Sequence, residues 1–296
     1  PVHCFESMHR AFLKVQDGCN QFCSYCAIPF ARGRERSLNH EQVIQIAKDL
    51  CDKGHTEIVL TGIHTGRYFD GEYDLAKLMK ALLENTPDYV YYRISSIEIT
   101  EVSDELIGLM QENSRMCHHL HIPVQSACNE TLKRMNRPYT IEQFKEKIEY
   151  IRSCIPDISI STDVIAGFVQ ESDEEFETTY KNLAELELSF FHVFPYSKRN
   201  GTKASTLKGE INGKVAKARV ARLLELSNAC RERDMKRFNP VQVLIERKQD
   251  GYYTGYTNQY HPCKILSDIP LSGRITIEWD RIEDGTYYGK KDVVCD

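Results

Sequence analysis

The strongest constraint on how this chain folds is an alternation repeated six times along its first two thirds. Short runs rich in β-branched and aromatic residues fall at 12–16, 57–61, 90–95, 119–124, 158–165 and 190–194. Helical patterns stand between them at 40–53, 74–85, 103–113, 129–135 with 141–154, and 172–186. Strands alternating with helices at this spacing predict βα units around a parallel sheet, and six units make an open, partial barrel of the α/β class. In parallel βα barrels the chemistry sits at the carboxyl ends of the strands, where loops vary without disturbing the core. The unusual residues of this chain fall at those ends: a cysteine-rich loop after the first strand, Thr61-Gly62-Ile63-His64 after the second, and Ser95-Ser96-Ile97-Glu98 after the third. Pro123-Val124-Gln125-Ser126 follows the fourth, Ala166-Gly167-Phe168 the fifth, and Pro195-Tyr196-Ser197-Lys198 the sixth. Their coincidence predicts one shared site.

The first of these loops carries Cys19, Cys23 and Cys26 at C-x3-C-x2-C spacing. Three thiolates at that density suit an iron-sulfur cluster or zinc. Structural zinc would need a fourth ligand, and no second C-x2-C or H-x3-H pair follows closely. Cys4 is the upstream thiol that would close a four-cysteine site. His118, His119 and His121 look like a second metal cluster, but on a strand only His119 and His121 share a face, and no carboxylate or cysteine stands beside them at ligand spacing along the chain. Of the eleven cysteines, the scattered remainder read as small buried hydrophobes in a reducing compartment rather than a disulfide framework.

Cys19, Cys23 and Cys26, with aromatic Tyr25 before the last cysteine, resemble the signature of radical S-adenosylmethionine (SAM) enzymes. The longer string Ala11-Phe-Leu-Lys-Val-Gln-Asp-Gly-Cys-Asn20, followed by Ile28-Pro-Phe-Ala-Arg-Gly-Arg-Glu-Arg-Ser37, is similar to the methylthiotransferases among them. Leu60-Thr-Gly-Ile-His-Thr-Gly66 and His192-Val-Phe-Pro-Tyr-Ser-Lys198 resemble the branch acting on N6-threonylcarbamoyladenosine in tRNA. The resemblance implies a partial (β/α)6 barrel of the radical SAM type, with the three cysteines holding a 4Fe-4S cluster whose open iron binds SAM. It implies Tyr25 near the adenine, and Gly62, Ser96, Glu98, Gln125 and Gly167 as SAM contacts. Beside that, Gly62 and Gly167 could be ordinary turn glycines, and Ser95, Ser96 and Glu98 could cap the helix near Ser103. Two departures stand out: the family's Gln-Ser-Gly-Cys reads Gln125-Ser126-Ala127-Cys128, and its Gly-Phe-Pro-Gly-Glu reads Gly167-Phe168-Val169-Gln170-Glu171. Where such a glycine takes positive φ, alanine or glutamine costs on the order of 1 kcal/mol.

Charge enters the argument through its distribution. The net charge of -5 by itself argues against a nucleic-acid partner, yet residues 198–237 hold twelve Lys or Arg against four Asp or Glu, and residues 163–187 hold eight acids against one Lys. A polyanion would find one face and avoid the other; two solvated helix faces of opposite sign would give the same count. Lys198, Arg199, Arg219 and Arg222 are the predicted RNA contacts, on or before a long helix over 212–238. Asn239-Pro240 ends that helix and predicts a boundary between a core, 1–238, and a second domain, 239–296. The latter reads as a small antiparallel β-barrel and is similar to the OB-like TRAM domain. Its own balance is seven bases against nine acids, so RNA recognition there would rest on Tyr252, Tyr253, Tyr256, Tyr260 and Trp279; those rings could equally be barrel core.

These features predict a cytoplasmic transferase with no membrane segment, acting on a tRNA anticodon stem-loop and drawing electrons from an external donor. The resemblance implies methylthiolation of N6-threonylcarbamoyladenosine beside the anticodon: one SAM supplies a methyl group, a second is cleaved to a 5′-deoxyadenosyl radical. It also implies a second 4Fe-4S cluster in an N-terminal domain. No second cysteine triplet exists in this sequence, so the chain reads as core plus TRAM, a fragment without that domain. The alternatives are a methylthiotransferase for another modified adenosine or a ribosomal protein, and an RNA-binding module with a structural metal.

Overall fold

The computed structural model describes residues 9–291. Six parallel strands form the core: β1 (Arg10–Lys14), β2 (Glu57–Thr61), β3 (Tyr91–Ile94), β4 (His119–His121), β5 (Ser159–Ala166) and β6 (Phe190–Pro195). They pair as two three-stranded sheets in chain order, β1-β2-β3 and β4-β5-β6. A parallel bridge between Tyr92 and Met116 joins the halves, with Cys117 N–H donating to Tyr92 O at 2.8 Å. The expected partial barrel is therefore present. β4 is shorter than the predicted 119–124, because the Val124 amide leaves the ladder for the Thr162 hydroxyl, 2.8 Å away.

The helices close each crossover: α1 (Ile28–Arg32), α2 (His40–Asp52), α3 (Leu75–Asn85), α4 (Asp104–Glu112), α5 (Asn129–Arg134), α6 (Ile141–Cys154) and α7 (Asp173–Leu186). Five of these starts, those of α2, α3, α4, α6 and α7, are set by side-chain caps from Asn39, Asp74, Ser103, Thr140 and Ser172, the last two in full capping boxes. Ser103 caps α4 itself, which leaves Ser96 and Glu98 free of the capping role open to them in the sequence. The apolar stripes of the helices bury Val43, Leu50, Leu78, Leu82, Phe144 and Ile148 against outward-facing Leu13, Ile58, Leu60, Leu120 and Ile160. The inward positions are mixed: charged or polar Glu57, Arg93, His119 and Ser161 stand among Phe12, Val59 and Phe190.

Glu57 is the hub of that interior, with none of its surface exposed. Its Oε1 accepts from Arg10 Nε at 2.9 Å and Arg93 Nε at 3.0 Å, and its Oε2 from Arg274 Nη2 at 2.7 Å. Burial alone would raise the Glu57 carboxyl, but Arg93, Arg10 and Arg274 hold it far below the usual carboxylate range. Arg274 comes from the C-terminal part, and Arg93 reaches the same part through Asn258 O at 3.0 Å and Thr257 O at 3.2 Å. The amino end of the barrel is thus closed by an ionic plug.

A long helix, α8 (Gly213–Met235), leads to that part, a six-stranded sheet of β7 (Val241–Gln249), β8 (Tyr252–Thr257), β9 (Pro262–Leu266), β10 (Arg274–Ile277), β11 (Trp279–Glu283) and β12 (Thr286–Lys290). The strand order is β10-β7-β8-β9-β12-β11. β10 and β11 lie at opposite edges yet are separated in the chain by Glu278 alone, so the sheet must curl on itself. The pairing departs from the all-antiparallel expectation at β9 and β12, which run parallel. The curl is pinned to α8 by Tyr287 OH donating to Met235 O at 2.6 Å and by His261 Nε2 against Asp234 Oδ2 at 2.7 Å. Tyr256 and Tyr260 stack on each other and under Arg10 and Arg93, and Trp279 Nε1 donates to Phe238 O. Those rings are packing elements, and Tyr253 likewise packs against the core of the sheet, while Tyr252 meets Tyr288 edge-on outside it. Among the described residues no helix is long and apolar enough to cross a membrane.

Removing the Glu57 charge leaves three arginines facing one another in a closed interior. Glu57→Gln is expected to lower unfolding free energy by about 3 kcal/mol at pH 7, measured by urea denaturation. A depressed carboxylate stabilises fully above its unfolded-state pKa, about 4.3, and loses that contribution progressively as pH falls from there through its much lower folded-state pKa. The acid limb of the stability curve should therefore be shallower in Glu57→Gln than in the parent.

Candidate active site at the strand ends

The cysteine loop leaves β1 through a two-residue ladder, Gln16–Asp17 against Arg36–Ser37, and turns at Gly18. Gly18 has φ +76, and a Cβ there would stand 2.0 Å from Arg34 O, so the return strand can approach only a glycine. The loop is held over the barrel mouth from both sides. Ser24 N–H donates to Met135 O at 2.9 Å, Ser24 O accepts from Ala204 N–H at 2.7 Å, and Asn136 Nδ2 donates to Phe22 O at 3.0 Å.

Cys19, Cys23 and Cys26 are partly exposed and share one cavity of about 200 Å³ with Tyr25, His64, Ser96, Glu98, Gln125 and Arg137. The structure thus brings together Tyr25, Ser96, Glu98 and Gln125 beside the cysteines, from the ends of the first, third and fourth strands. Gln125 reaches it with φ +67. Gly62 lies under the rim, where a Cβ would meet Gln16 Cβ at 3.0 Å. Gly167 is not part of this cavity. It has φ +70, donates its N–H to Glu171 Oε2 at 2.8 Å, and opens on a neighbouring groove with Tyr196, Lys198, Glu210 and Lys217.

Two cations surround the sulfurs. Arg137 carries the site: its side chain is 2% exposed, and it donates to Cys23 Sγ at 3.4 Å, Pro123 O at 3.0 Å and Tyr139 OH at 2.8 Å, while pairing with Glu98. This residue, in the Asn136-Arg137-Pro138 turn after α5, escaped the sequence reading. The only signal for it was a lone arginine before a proline. On the other side, His64 Nδ1 is 3.4 Å from Cys19 Sγ and its Nε2 is 2.8 Å from Glu101 Oε1. Burial pulls the His64 pKa down, but hydrogen bonding to Cys19 and to Glu101 outweighs it and raises the group to about 10. Burial pushes the Cys26 thiol up and the Tyr25 hydroxyl well above its usual range.

The donor set discriminates between metal groups. Among the described residues, ligand atoms converge within 4.8 Å in Cys19–Glu35–His64 and in His121–Asp163–His192; the three cysteines are not such a group. Ligands of a single ion crowd together, so the wider spacing of the sulfurs around one cavity fits a polynuclear cluster better. Cys4 lies outside the described residues. The second group corrects the histidine reading: Asp163 arrives from β5 and His192 from β6, next to His121 in space though distant in sequence. His118 faces the other way, toward Asp157.

The predicted RNA contacts fare unequally. Lys198 and Arg199 are exposed, Lys198 paired with Glu210 at 2.8 Å. Arg219 is a correction: its side chain is 6% exposed and its guanidinium is bound to Glu171 at 2.7 Å and Asp173 at 2.6 Å, which removes it from the surface. Arg222 pairs with Glu177 and lies over Phe176 and Tyr180. Exposed cations on the same stretch are Lys214 and Lys217. Of the two departures from the family strings, Gln170 does take left-handed backbone, φ +65, tied down by its side chain to Lys208 O at 2.8 Å, whereas Ala127 is buried with ordinary backbone.

A profile described as the radical SAM superfamily matches residues 13–183. Threonylcarbamoyladenosine tRNA methylthiotransferase MtaB of Bacillus subtilis (strain 168) is 40% identical over 283 residues, covering 93% of this chain and 63% of that protein. The MtaB of Chlamydia pneumoniae is 34% identical over 293 residues, 98% of this chain and 69% of that one. A tRNA-2-methylthio-N(6)-dimethylallyladenosine synthase from Thermodesulfovibrio yellowstonii (strain ATCC 51303 / DSM 11347 / YP87) is 36% identical over 272 residues, 91% of this chain and 63% of that protein. The chain thus spans 63 to 69% of the length of these relatives. Among solved structures, Escherichia coli coproporphyrinogen III oxidase (HemN), a radical SAM enzyme, superposes with a TM-score of 0.54 at 16% identity, covering 78% of this chain and 54% of that one. The radical SAM methyltransferase TsrM from Kitasatospora setae superposes with a TM-score of 0.56 at 14% identity, covering 66% and 38%.

Arg137→Met strands the Glu98 carboxylate at the cavity wall and is expected to cost about 3 kcal/mol of stability, read from denaturant melts. Adding Glu98→Gln should recover a large part of that loss. Strict additivity of the two substitutions would show that the pair does not act as a unit.

Proposed function

The chain belongs to the radical SAM superfamily and, within it, to the methylthiotransferases; from that premise we propose that it forms the catalytic core of an enzyme adding a methylthio group to N6-threonylcarbamoyladenosine next to the anticodon of tRNA. The carrying observation is the cavity that Cys19, Cys23 and Cys26 share with Arg137, Glu98, Ser96 and Gln125 at the strand ends. Cys19, Cys23 and Cys26 would hold a 4Fe-4S cluster, which with SAM supplies the one-electron chemistry that side chains lack.

The residues of this chain bind, orient and shield. Arg137 sets its positive charge beside Cys23 and fixes the Glu98 carboxylate in direction, so that Glu98 can accept from an ammonium or a ribose hydroxyl. Ser96 adds a hydroxyl to the same wall, and Tyr25, edge-on to Phe168, gives an aromatic surface for an adenine. His64, buried between Cys19 and Glu101, sets an imidazole nitrogen 3.4 Å from the Cys19 sulfur. Gly167 and Gly62 would act through backbone shape at the rim rather than from the cavity wall.

Substrate choice is supported by the relatives: the Bacillus subtilis MtaB is 40% identical over 93% of this chain, the dimethylallyladenosine synthase 36% over 91%. Below the cysteine loop lies a cavity of about 240 Å³ whose wall mixes Phe12, Val59, Ile94, Phe190 and Tyr260 with Ser95, His119, His121, Ser161 and His192. RNA would approach along Lys198, Arg199, Lys214 and Lys217, with the 239–296 unit flanking. The second 4Fe-4S cluster, as sulfur carrier, would sit on the part of the relatives' length that this chain does not span. An external reductant and a cytoplasmic setting complete the proposal.

Deleting the gene that carries this sequence should remove the 2-methylthio derivative of N6-threonylcarbamoyladenosine from total tRNA and leave its precursor, by nucleoside mass spectrometry. Loss of the dimethylallyl-derived nucleoside instead would contradict the substrate assignment. For RNA contacts, Lys214→Glu with Lys217→Glu should flatten the dependence of log K on log salt by roughly one to two units of slope. An unchanged slope would move the footprint elsewhere.

A further inference from the structure

The outer face of the cysteine loop carries two rings that folding does not call for. Phe22, the residue before Cys23, takes left-handed backbone with φ +50 and leaves 48% of its surface exposed. Glycine or asparagine adopts that conformation at less cost, and an exposed ring returns nothing to the core, so a phenylalanine held there against its strain points to a use outside the fold. Phe30, 67% exposed on α1, meets the Phe22 ring edge-on with 6.0 Å between centroids. Both rings stand on fixed supports. Asn136 Nδ2 donates to Phe22 O at 3.0 Å, and α1 is seated by buried Pro29 in its first turn.

The surroundings of the pair fit a nucleic acid. Arg32 and Arg34, exposed at the end of α1 and in the turn after it, make no ion pair with any described residue, whereas Arg36 and Arg67 are engaged by Asp17 and Glu35. On the side of Asn136, exposed Lys133 lines an open groove of about 500 Å³ with Glu130, Asn136, Thr140 and Gln143. That groove and the cysteine cavity share Arg137, and Phe22, bonded to Asn136 and next in sequence to Cys23, stands where the two meet. The other flank of the loop reaches the cationic stretch at 198–217, since Ser24 O accepts from Ala204 N–H at 2.7 Å. Ring faces among free guanidinium groups suit unstacked bases with phosphates beside them. An apolar protein surface would leave Arg32 and Arg34 facing it without counter-charge.

We propose that Phe22 and Phe30 form a stacking platform for the unpaired loop bases that flank the target nucleoside, with Arg32 and Arg34 on the neighbouring phosphates. The inference rests on the tRNA reading above and adds the surface that receives the loop. A nucleoside whose base enters the cavity beside Cys23 leaves its stack, and each neighbour loses a partner that a ring at the mouth replaces. Every base has a π-face, so the platform selects unpaired RNA rather than a sequence.

The test is binding, by fluorescence anisotropy, of an anticodon stem-loop and of a fully paired RNA duplex of equal length to the cluster-loaded protein. Phe22→Asn with Phe30→Leu keeps the left-handed backbone and removes both rings, while Phe22→Tyr with Phe30→Tyr keeps the ring faces. Iron content and thermal melts confirm that each variant is loaded and folded, and Phe30→Leu alone repeats the test away from the cysteines. The parent should bind the stem-loop more tightly than the duplex. Removing both rings should weaken stem-loop binding about tenfold and leave the duplex unchanged, Phe30→Leu should show part of that loss, and the Tyr pair should bind as the parent does. Arg32→Gln with Arg34→Gln should flatten the dependence of log K on log salt by roughly one to two units of slope, and an unchanged slope overturns the role of the arginines. Unchanged stem-loop affinity without the rings, an equal drop for both RNAs, or an equal loss in the Tyr pair overturns the platform. So does a changed oligomeric state by light scattering with RNA binding intact, which would give the patch to a second copy of the chain. A parent that binds neither RNA overturns the tRNA reading itself, and the platform with it.

Discussion

One guanidinium ties the upper half of this molecule together. Arg137 leaves the turn after α5 and meets the cysteine loop at Cys23, the third strand's end at Glu98 and the fourth at Pro123 O. Loops at the mouth of a parallel barrel have few backbone partners of their own, because the ladder stops where they begin. A planar cation with five donors can fix three of them at once, in a way that neither lysine nor an apolar residue could. Everything the cavity offers, from the sulfurs to Ser96 and Gln125, is arranged around that point.

Glu57 plays the corresponding part at the other end, and the two charged clusters bracket a hollow interior. In a closed eight-stranded barrel the inside is filled with branched apolar layers. Here the inward positions mix Glu57, Arg93, His119 and Ser161 with Phe12, Val59 and Phe190 around a cavity, and the polar ones bond to one another along the wall. The C-terminal sheet is part of the same construction: Arg274 and Tyr260 close the floor from outside the barrel. That sheet therefore supports the cavity as well as offering surface to a partner.

How much of this was readable in the sequence follows the range of the interactions. Strands and helices were legible because periodicity is local, and Ile58, Val59 and Leu60 or Ile148 and Ile151 announce their elements within a turn or two. The cysteine loop was legible because its three ligands lie within eight residues. Arg137 was not, since its contact with Cys23 spans 114 positions. The convergence of His121, Asp163 and His192 was missed for the same reason: ligand spacing was sought along one strand, while Asp163 and His192 are brought alongside by register. Arg219 shows a different failure. Counting charge on α8 made it a surface cation, yet Arg219, Leu223, Ser227, Cys230 and Asp234 recur at helical spacing on the buried face, a pattern that could have flagged it.

The central claim is that Cys19, Cys23 and Cys26 leave one iron of a cluster uncapped for SAM. The most direct measurement is electron paramagnetic resonance of the anaerobically reconstituted, reduced protein, recorded before and after SAM is added. A reduced 4Fe-4S signal that changes its g-values with SAM, and is lost in Cys23→Ala, is the predicted result. A protein that takes up zinc in place of iron and stays silent, or a cluster signal indifferent to SAM, would contradict the account.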